Sequence, residues 1–214
     1  RDNDLRYEIS EIDTSSDAIA VSQLTYNIEP DNYYFAIEMQ DWYSENVGTF
    51  RDELYAEEYG YETLQMSDIQ LSWNITFVDE LERITRDNLD IEPNPRRFFY
   101  KDQPIFIYYE IYNLLMNDLQ GTTGYTVEYS LQYLEDDLPW ITNFVRNLVL
   151  NDDRELGVTT KFTNRGTEDE EALFLRVDHN LTKTGPYRLT LTVTDNSAAK
   201  SVQKSVLLRL FENR

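Results

Sequence analysis

One strand-and-turn segment occurs twice in the chain, and it constrains the fold more than any other feature of the sequence. The later copy is Gly185–Asp195 (GPYRLTLTVTD), and the earlier copy is Tyr33–Asp41 (YYFAIEMQD). Tyr33 aligns with Tyr187, so equivalent residues are 154 positions apart. In both copies, apolar or aromatic residues alternate with other residues and an aspartate ends the segment. Such alternation predicts a strand with one buried face. The repeat therefore predicts two domains of the same architecture.

Four residues of the repeat are predicted to have structural roles. Asp41 and Asp195 end the strand, where an aspartate commonly bonds the backbone amides of the following turn. Tyr33 and Tyr187 resemble the tyrosine corner of β-sandwich folds, in which the hydroxyl bonds nearby backbone. We expect these side chains to hold turns and corners in place rather than to bind a ligand.

The spacing of turn-forming residues predicts an all-β fold of tandem immunoglobulin-like sandwiches, with domains at 1–63 and 64–214. In the first domain, four strand-like runs align with the last four predicted strands of the second domain, 154 positions later. Four strands do not close two packed sheets, so this domain is expected to be incomplete. Upstream sequence or another polypeptide would complete it, and a start at Arg1 without Met favours a longer precursor. The four runs are Leu5–Ile12, Ile19–Ile28, Tyr33–Trp42 and Val47–Tyr59.

Three local predictions concern the second domain, for which about seven strands are expected. Pro104–Leu114 (PIFIYYEIYNL) is apolar on both faces, as is typical of a central strand covered on both sides. Gln120–Gly124 is predicted to close a hairpin between this strand and Tyr125–Leu134. Leu138–Leu150 has apolar residues at helical spacing behind a capping aspartate, so one short helix is expected there.

The charge balance and the lack of cysteine exclude several classes of partner and chemistry. The chain has 40 Asp plus Glu against 19 Lys plus Arg, and its net charge of −21 repels nucleic acid and anionic membranes. An acidic surface suits either a protein in concentrated salt or a β-rich protein that charge keeps soluble. The absence of Cys excludes disulfides and thiolate chemistry. The longest apolar run, Ile105–Met116, is shorter than the roughly 20 residues that span a bilayer, so no membrane insertion is expected.

The sequence offers little that points to catalysis. His179 is the one histidine, and it lies beside Asp178 at a predicted strand end. A lone histidine there is expected to be a surface residue rather than a general base. Arg96-Arg97 stands beside two phenylalanines and is expected to pair with carboxylates of the same protein rather than to bind an anion. We therefore predict no catalytic residues and no enzyme activity.

Two kinds of binding stay open as alternatives. Calcium prefers oxygen ligands, although solvated acidic turns are the simpler interpretation. Acidic loops that could supply such ligands are Asp136-Asp137, Asn151–Asp153 and Glu168–Glu171. No other cofactor and no other metal site is predicted. Exposed tyrosines could form a platform for sugars or proteins, or serve as core and cross-strand pairs. The four tyrosines in question are Tyr43, Tyr55, Tyr59 and Tyr61.

Segments of the second domain resemble the C-terminal region of the bacterial GWxTD domain-containing proteins. They are Met66–Ser72 (MSDIQLS), Glu92–Arg96 (EPNPR), Gln103–Leu114 (QPIFIYYEIYNL) and Gly185–Leu189 (GPYRL) with Val193–Asp195 (VTD), in matching order and spacing. The Gly-Trp-x-Thr-Asp motif itself does not occur in the chain. The resemblance implies an exported, multi-domain protein of the bacterial envelope, and it implies no reaction.

These features together predict a non-enzymatic structural or interaction protein that is exported to the periplasm or cell surface. It would be a β-sandwich subunit or scaffold of an envelope or surface assembly. Its expected partners are other protein subunits or upstream domains of the same precursor. The alternatives are a carbohydrate-binding module that uses the tyrosines and calcium, and an accessory domain of an enzyme whose active site lies upstream.

Overall fold

The structure is a computed structural model that describes residues 25–41, 43–77, 89–117, 119, 121–134 and 156–212, with only the backbone at 156–158. Every regular element in these ranges is a β-strand, as the sequence predicted. The predicted helix at Leu138–Leu150 and the predicted strand Leu5–Ile12 lie outside the described residues. The twelve strands are β1 (Asn32–Gln40), β2 (Val47–Tyr55), β3 (Gln65–Met66), β4 (Gln70–Phe77), β5 (Leu89–Pro93), β6 (Phe98–Tyr100), β7 (Ile105–Tyr112), β8 (Thr123–Tyr133), β9 (Leu156–Gly166), β10 (Glu171–Val177), β11 (Gly185–Asp195) and β12 (Lys200–Phe211).

The chain divides into two compact units, residues 1–58 and 59–214. In the described part of the first unit, β1 and β2 form a two-stranded antiparallel sheet. Residues 25–28, the end of the predicted run Ile19–Ile28, are not in a strand, and β2 ends at Tyr55 rather than at Tyr59.

The second unit is a sandwich of two five-stranded sheets. One sheet has the strand order β10-β7-β4-β5, with β3 paired to the same strand β7. The other has the order β6-β12-β11-β8-β9, and its β6–β12 pair is parallel. The neighbours β4, β7 and β10 follow the order A, B, E of an immunoglobulin-like sandwich, and β12, β11 and β8 follow G, F, C.

The core lies between the inward faces of these two sheets. Along β11, buried and half-buried residues alternate without a break from Gly185 to Asp195, which is the pattern that the sequence predicted. Strand β7 lies between β10 and β4, as expected for a central strand. Its outward Tyr108 is also buried, in a second apolar cluster with Ile75 and Leu89. Both faces of β7 are therefore covered in the second unit.

The predicted hairpin between β7 and β8 is wrong, because the two strands belong to different sheets. The Gly121 turn does exist, and it closes locally through a hydrogen bond from Asn117 N–H to the Thr122 carbonyl. The chain then crosses from one sheet to the other. Two apolar runs around a glycine turn suit a hairpin and such a crossing equally well, so sequence alone did not separate them. The expected count of seven strands was also low, because β3, β5 and β6 have only two to five residues each.

The repeated hairpin has the same strand register in both units. In the β1–β2 pair, Asn32 is opposite Tyr55, and in the β11–β12 pair the equivalent Pro186 is opposite Arg209. The turn that follows also matches, since Glu45 has a φ of 57° and the equivalent Ala199 has a φ of 50°. The two hairpins are thus one structural unit that occurs twice.

Candidate functional site

The two corner tyrosines make the same hydrogen bond. Tyr33 Oη donates to the Glu29 carbonyl at 2.8 Å, and Tyr187 Oη donates to the Lys183 carbonyl at 3.0 Å. The acceptor lies four residues upstream in both cases. Burial, together with the neighbouring Tyr133, raises the pKa of the Tyr187 hydroxyl. Both hydroxyls are occupied by backbone bonds that fix the entry to the strand.

The two repeated aspartates bond the turn that follows their strand. Asp41 Oδ1 accepts hydrogen bonds from the backbone N–H groups two and three residues later, at 2.9 and 3.4 Å. Asp195 Oδ1 accepts the equivalent bonds at 2.8 and 2.9 Å. The Ser44 hydroxyl and the two amides lower the pKa of Asp41. This is the arrangement of an Asx-turn.

The surroundings of the two aspartates differ. Asp195 is buried, and its Oδ2 accepts a hydrogen bond of 2.7 Å from the backbone N–H of Leu115. Asp41 is exposed, and its Oδ2 accepts from the Ser44 hydroxyl at 2.6 Å. The second hairpin is therefore tied to a distant segment, whereas the described bonds of Asp41 are local.

The apolar side of the first hairpin is open to solvent in the part of the chain that the structure describes. Leu191 and Val193 of β11 are 0% exposed, but the equivalent Ile37 and Met39 of β1 are 48% and 72% exposed. Opposite Ile37, Phe50 is 55% exposed. We call this surface the apolar hairpin face, and its members are Tyr33, Phe35, Ile37, Met39, Phe50 and Leu54.

Of the four tyrosines considered as a platform, two belong to the first unit and two to the second. Tyr43 lies in the turn before β2 and is 97% exposed, whereas Tyr55 ends β2 and is 65% exposed. Because each strand residue adds about 3.3 Å, the two ends of this strand are roughly 26 Å apart. In the second unit, the Tyr59 ring packs against the Tyr112 ring at 5.0 Å, while Tyr61 is 92% exposed. Tyr43 and Tyr55 cannot stack on the same sugar ring.

Tyr34 is an exposed neighbour of Tyr55 that the sequence interpretation did not include. Tyr34 is opposite Glu53 and Tyr55 is opposite Asn32 in the β1–β2 register, so both tyrosines lie on the polar side of the hairpin. Tyr34 is 85% exposed. Diagonal neighbours of this kind are within reach of each other for aromatic side chains. The outward position of Tyr34 in the strand pattern was the signal that could have found it.

His179 is half-buried rather than a simple surface residue. Its Nε2 lies 3.1 Å from the Gln103 carbonyl, which makes Nε2 the hydrogen-bond donor. Burial lowers the pKa of His179, and it outweighs the Gln103 bond and the carboxylates Asp178 and Asp102, which act in the opposite direction. The sequence did not show that the segment after β10 packs against the turn after β6.

The acidic loops can be assessed only in part, because Asp136-Asp137 and Asn151–Asp153 lie outside the described residues. Of the third loop, Glu168–Asp169–Glu170 is exposed, and it lies in the turn between β9 and β10. Asp169 also lines an open cleft of about 300 Å³ with Glu62, Asp195 and Lys200. Asp195 is already bonded to three backbone amides there. Among the described residues, no group of three side chains is placed to hold a metal ion.

Arg96 contacts an aromatic ring. Its guanidinium lies over the Phe98 ring, 5.7 Å from the centroid. Arg97 has a φ of 57° in the turn, and its carbonyl accepts a hydrogen bond from Arg209 N–H. No ion pair of either arginine occurs among the described residues, and the expected pairing with carboxylates stays a prediction.

The chain was compared with protein-family models and with curated proteins. No family model matches it, and no curated protein matches it. In the described ranges, no helix is long and apolar enough to cross a membrane.

Proposed function

We propose that this chain is a non-enzymatic interaction protein, an exported β-sandwich subunit or scaffold of a bacterial envelope or surface assembly. It acts through contacts with other proteins. The observation that carries this proposal is the apolar hairpin face.

The same hairpin has two environments in one chain. In the second unit it belongs to a sheet that packs against a second sheet, and Leu189, Leu191 and Val193 are fully buried. In the first unit the strand register, the corner tyrosine bond and the Asx-turn bonds are the same, yet Ile37 and Met39 are largely exposed. Exposed apolar surface of this kind marks interaction sites in soluble proteins. The first hairpin therefore presents one of the two apolar layers that form a sandwich core.

The second unit also indicates what kind of partner fits this face. There, the equivalent face is covered by another β-sheet whose inward residues are aliphatic and aromatic, such as Ile105, Ile107 and Tyr109. We therefore propose that a β-sheet from another polypeptide packs its apolar side on the apolar hairpin face. Two sheets that pack face to face in this way bury the apolar sides of both.

The assignment to the bacterial envelope rests on the resemblance to GWxTD domain-containing proteins described above. The segments Met66–Ser72 and Gln103–Leu114 that carry the resemblance contribute β7 and parts of β3 and β4. They form part of the core rather than a site. The resemblance therefore supports the location and the class of protein, and it supports no reaction.

Photo-crosslinking tests the proposed function. A benzophenone amino acid is placed at Ile37 or Phe50 on the apolar hairpin face, with Glu38 and Thr49 of the neighbouring register pair on the opposite side as controls. Crosslinking in cells that make the full chain should join positions 37 and 50, but not 38 and 49, to one partner protein in the envelope fraction. Crosslinks only within the chain, or equally from both sides, would contradict the proposal.

A second candidate is carbohydrate binding, which the exposed pair Tyr34 and Tyr55 favours. Aromatic side chains on the same side of a flat hairpin can contact the apolar faces of sugars. A glycan array probed with and without a chelator tests this candidate and any need for calcium. Binding that Tyr34→Ala and Tyr55→Ala abolish would support it, and uniform lack of binding would exclude it.

A further inference from the structure

The sheet β6-β12-β11-β8-β9 has one side in the core and the other side outward. We call the outward side the basic face. The strand register places on it the charged residues Glu128, Lys161, Arg165, Arg188 and Arg209, two rows of threonines and serines, and the apolar Leu207 and Phe211 at one end.

The charge of this face is opposite to that of the whole chain. Four cations and one carboxylate, Glu128, lie on it, which gives a net charge of +3. The full chain has a net charge of −21, so the rest of the chain has a net charge of −24. Lys161 is joined to Glu128 by an ion pair of 3.9 Å with both side chains exposed, and such pairs contribute little.

Between the charges, the basic face consists largely of hydroxyl groups. Two rows run across four strands, one through Thr126 and one through Ser130. Many of these groups bond one another, as Thr194 does with Ser201 at 2.9 Å and Thr190 with Ser205 at 3.0 Å. A partner therefore meets a surface of short side chains from which the cations project.

Arg188 lies on the central strand β11, in the same row as Gln132 and Leu207, and is half-buried. Burial lowers the pKa of its guanidinium, which means that its charge has lost part of its hydration. No carboxylate is paired with Arg188 in the part of the chain that the structure describes. A partly desolvated cation is stabilised when an anionic group contacts it.

We propose that the basic face binds a carboxylate-rich surface of a second copy of this chain, so that copies associate head to tail. Two basic faces repel each other, whereas the rest of a second copy is acidic on average. The contact therefore joins different surfaces of the two copies, and contacts of that type build rings or filaments. This inference rests on the proposed function, because it supplies a contact between subunits of an assembly.

Screening decides whether the net charge prevents such a contact. At about 0.15 M salt the Debye length is roughly 8 Å. Four strands about 4.8 Å apart give the face a width of roughly 14 Å. Charges that lie well beyond the Debye length from a contact are largely screened, so the charges on the face and directly opposite it matter most.

Sedimentation velocity of the full chain over a range of concentrations at this ionic strength tests the proposal. The face variant is Lys161→Glu with Arg165→Glu, both on exposed positions of β9. The control is Arg51→Glu with Arg176→Glu, at exposed positions outside the basic face and with the same change in net charge. The wild type and the control should associate beyond dimers as concentration rises, and the face variant should associate at least about tenfold more weakly.

Three results would overturn the proposal. The wild type could stay monomeric at every concentration. This result would overturn the proposal even if the monomer binds an acidic polymer such as poly-glutamate or alginate. The two double variants could associate equally. Association could depend on Ile37 and Phe50 but not on Lys161 and Arg165, which would overturn this inference and leave the proposed function standing.

Discussion

Asp195 Oδ2 accepts a hydrogen bond of 2.7 Å from the backbone N–H of Leu115, a residue 80 positions earlier in the chain. Leu115 lies in the connection between the two sheets, and Asp195 ends β11. One buried carboxylate therefore holds the β11–β12 turn and the crossing segment together. This hydrogen bond to a distant segment is also the clearest described difference between the two copies of the repeated hairpin.

Removing this carboxylate should destabilise the second unit. Asp195→Ala removes the buried acceptor of three backbone N–H groups, and we expect a loss of about 2 kcal/mol in the free energy of unfolding. Urea unfolding of the full chain measures it. Asp41→Ala, the equivalent change on an exposed turn, is the matched control and should leave the unfolding of the second unit unchanged. Equal midpoints for Asp195→Ala and wild type would contradict the assigned role.

Gly185 is predicted to be intolerant of a side chain. Its φ is +127°, and a Cβ there would lie 3.1 Å from the Tyr133 ring. Gly185→Ala should therefore cost about 1–3 kcal/mol through backbone strain and crowding. Gly124→Ala in β8 is the control, since its Cβ would meet nothing within 4 Å. The two alanine variants should differ clearly in thermal unfolding, and similar transitions would show that the Gly185 conformation is not required.

The sequence predicted the class of fold and the polar pattern of the hairpin better than the path between strands. Period-two alternation sufficed for β11, because a half-buried strand has only one arrangement that buries its apolar side. The Asx bonds followed from the chemistry of a short carboxylate at a turn. The crossing at Gly121 could not be predicted, because which sheet receives β8 depends on packing with strands that are distant in sequence. The exposure of the apolar hairpin face could not be predicted from the sequence either, because the alternating pattern that contains Ile37 and Met39 indicates a buried side.

The stability of the second unit should depend on the protonation of Glu171. Burial, and then the neighbouring Glu168, raises the pKa of this carboxyl, and the Thr167 amide only partly offsets them. The folded state therefore holds the proton more tightly than the unfolded state, whose pKa is near the ordinary value of 4.5. This contribution to stability is present at low pH and is lost as pH rises through the folded pKa.

Glu171→Gln tests this dependence because its side chain stays neutral. The free energy of unfolding of the variant relative to wild type should increase as pH rises from about 4.5, when measured by urea unfolding at several pH values. Glu170→Gln, the same change at the exposed neighbouring position, is the control for the loss of one negative charge. A difference that is constant with pH for Glu171→Gln would contradict the raised pKa.

His179 should titrate below the ordinary histidine range. Its folded pKa is lowered by burial, so the unfolded state takes up the proton first. Stability is therefore expected to fall as pH drops below about 6.5, and His179→Gln should remove that part of the dependence. Because the chain has one histidine, its ring proton gives a single NMR titration curve. A midpoint at or above 6.5 would show that the half-buried position in the structure is not kept in solution.

The central claim is that another protein covers the apolar hairpin face. The chain has no cysteine, so a single introduced thiol reports on one position. Ile37→Cys lies on this face, and Glu38→Cys lies on the opposite side of the same strand. In the purified chain both thiols should react with a water-soluble maleimide. In the native assembly we predict that the thiol at position 37 is protected and the thiol at position 38 still reacts. Equal reactivity at position 37 in both samples, or protection already in the purified chain, would contradict the account.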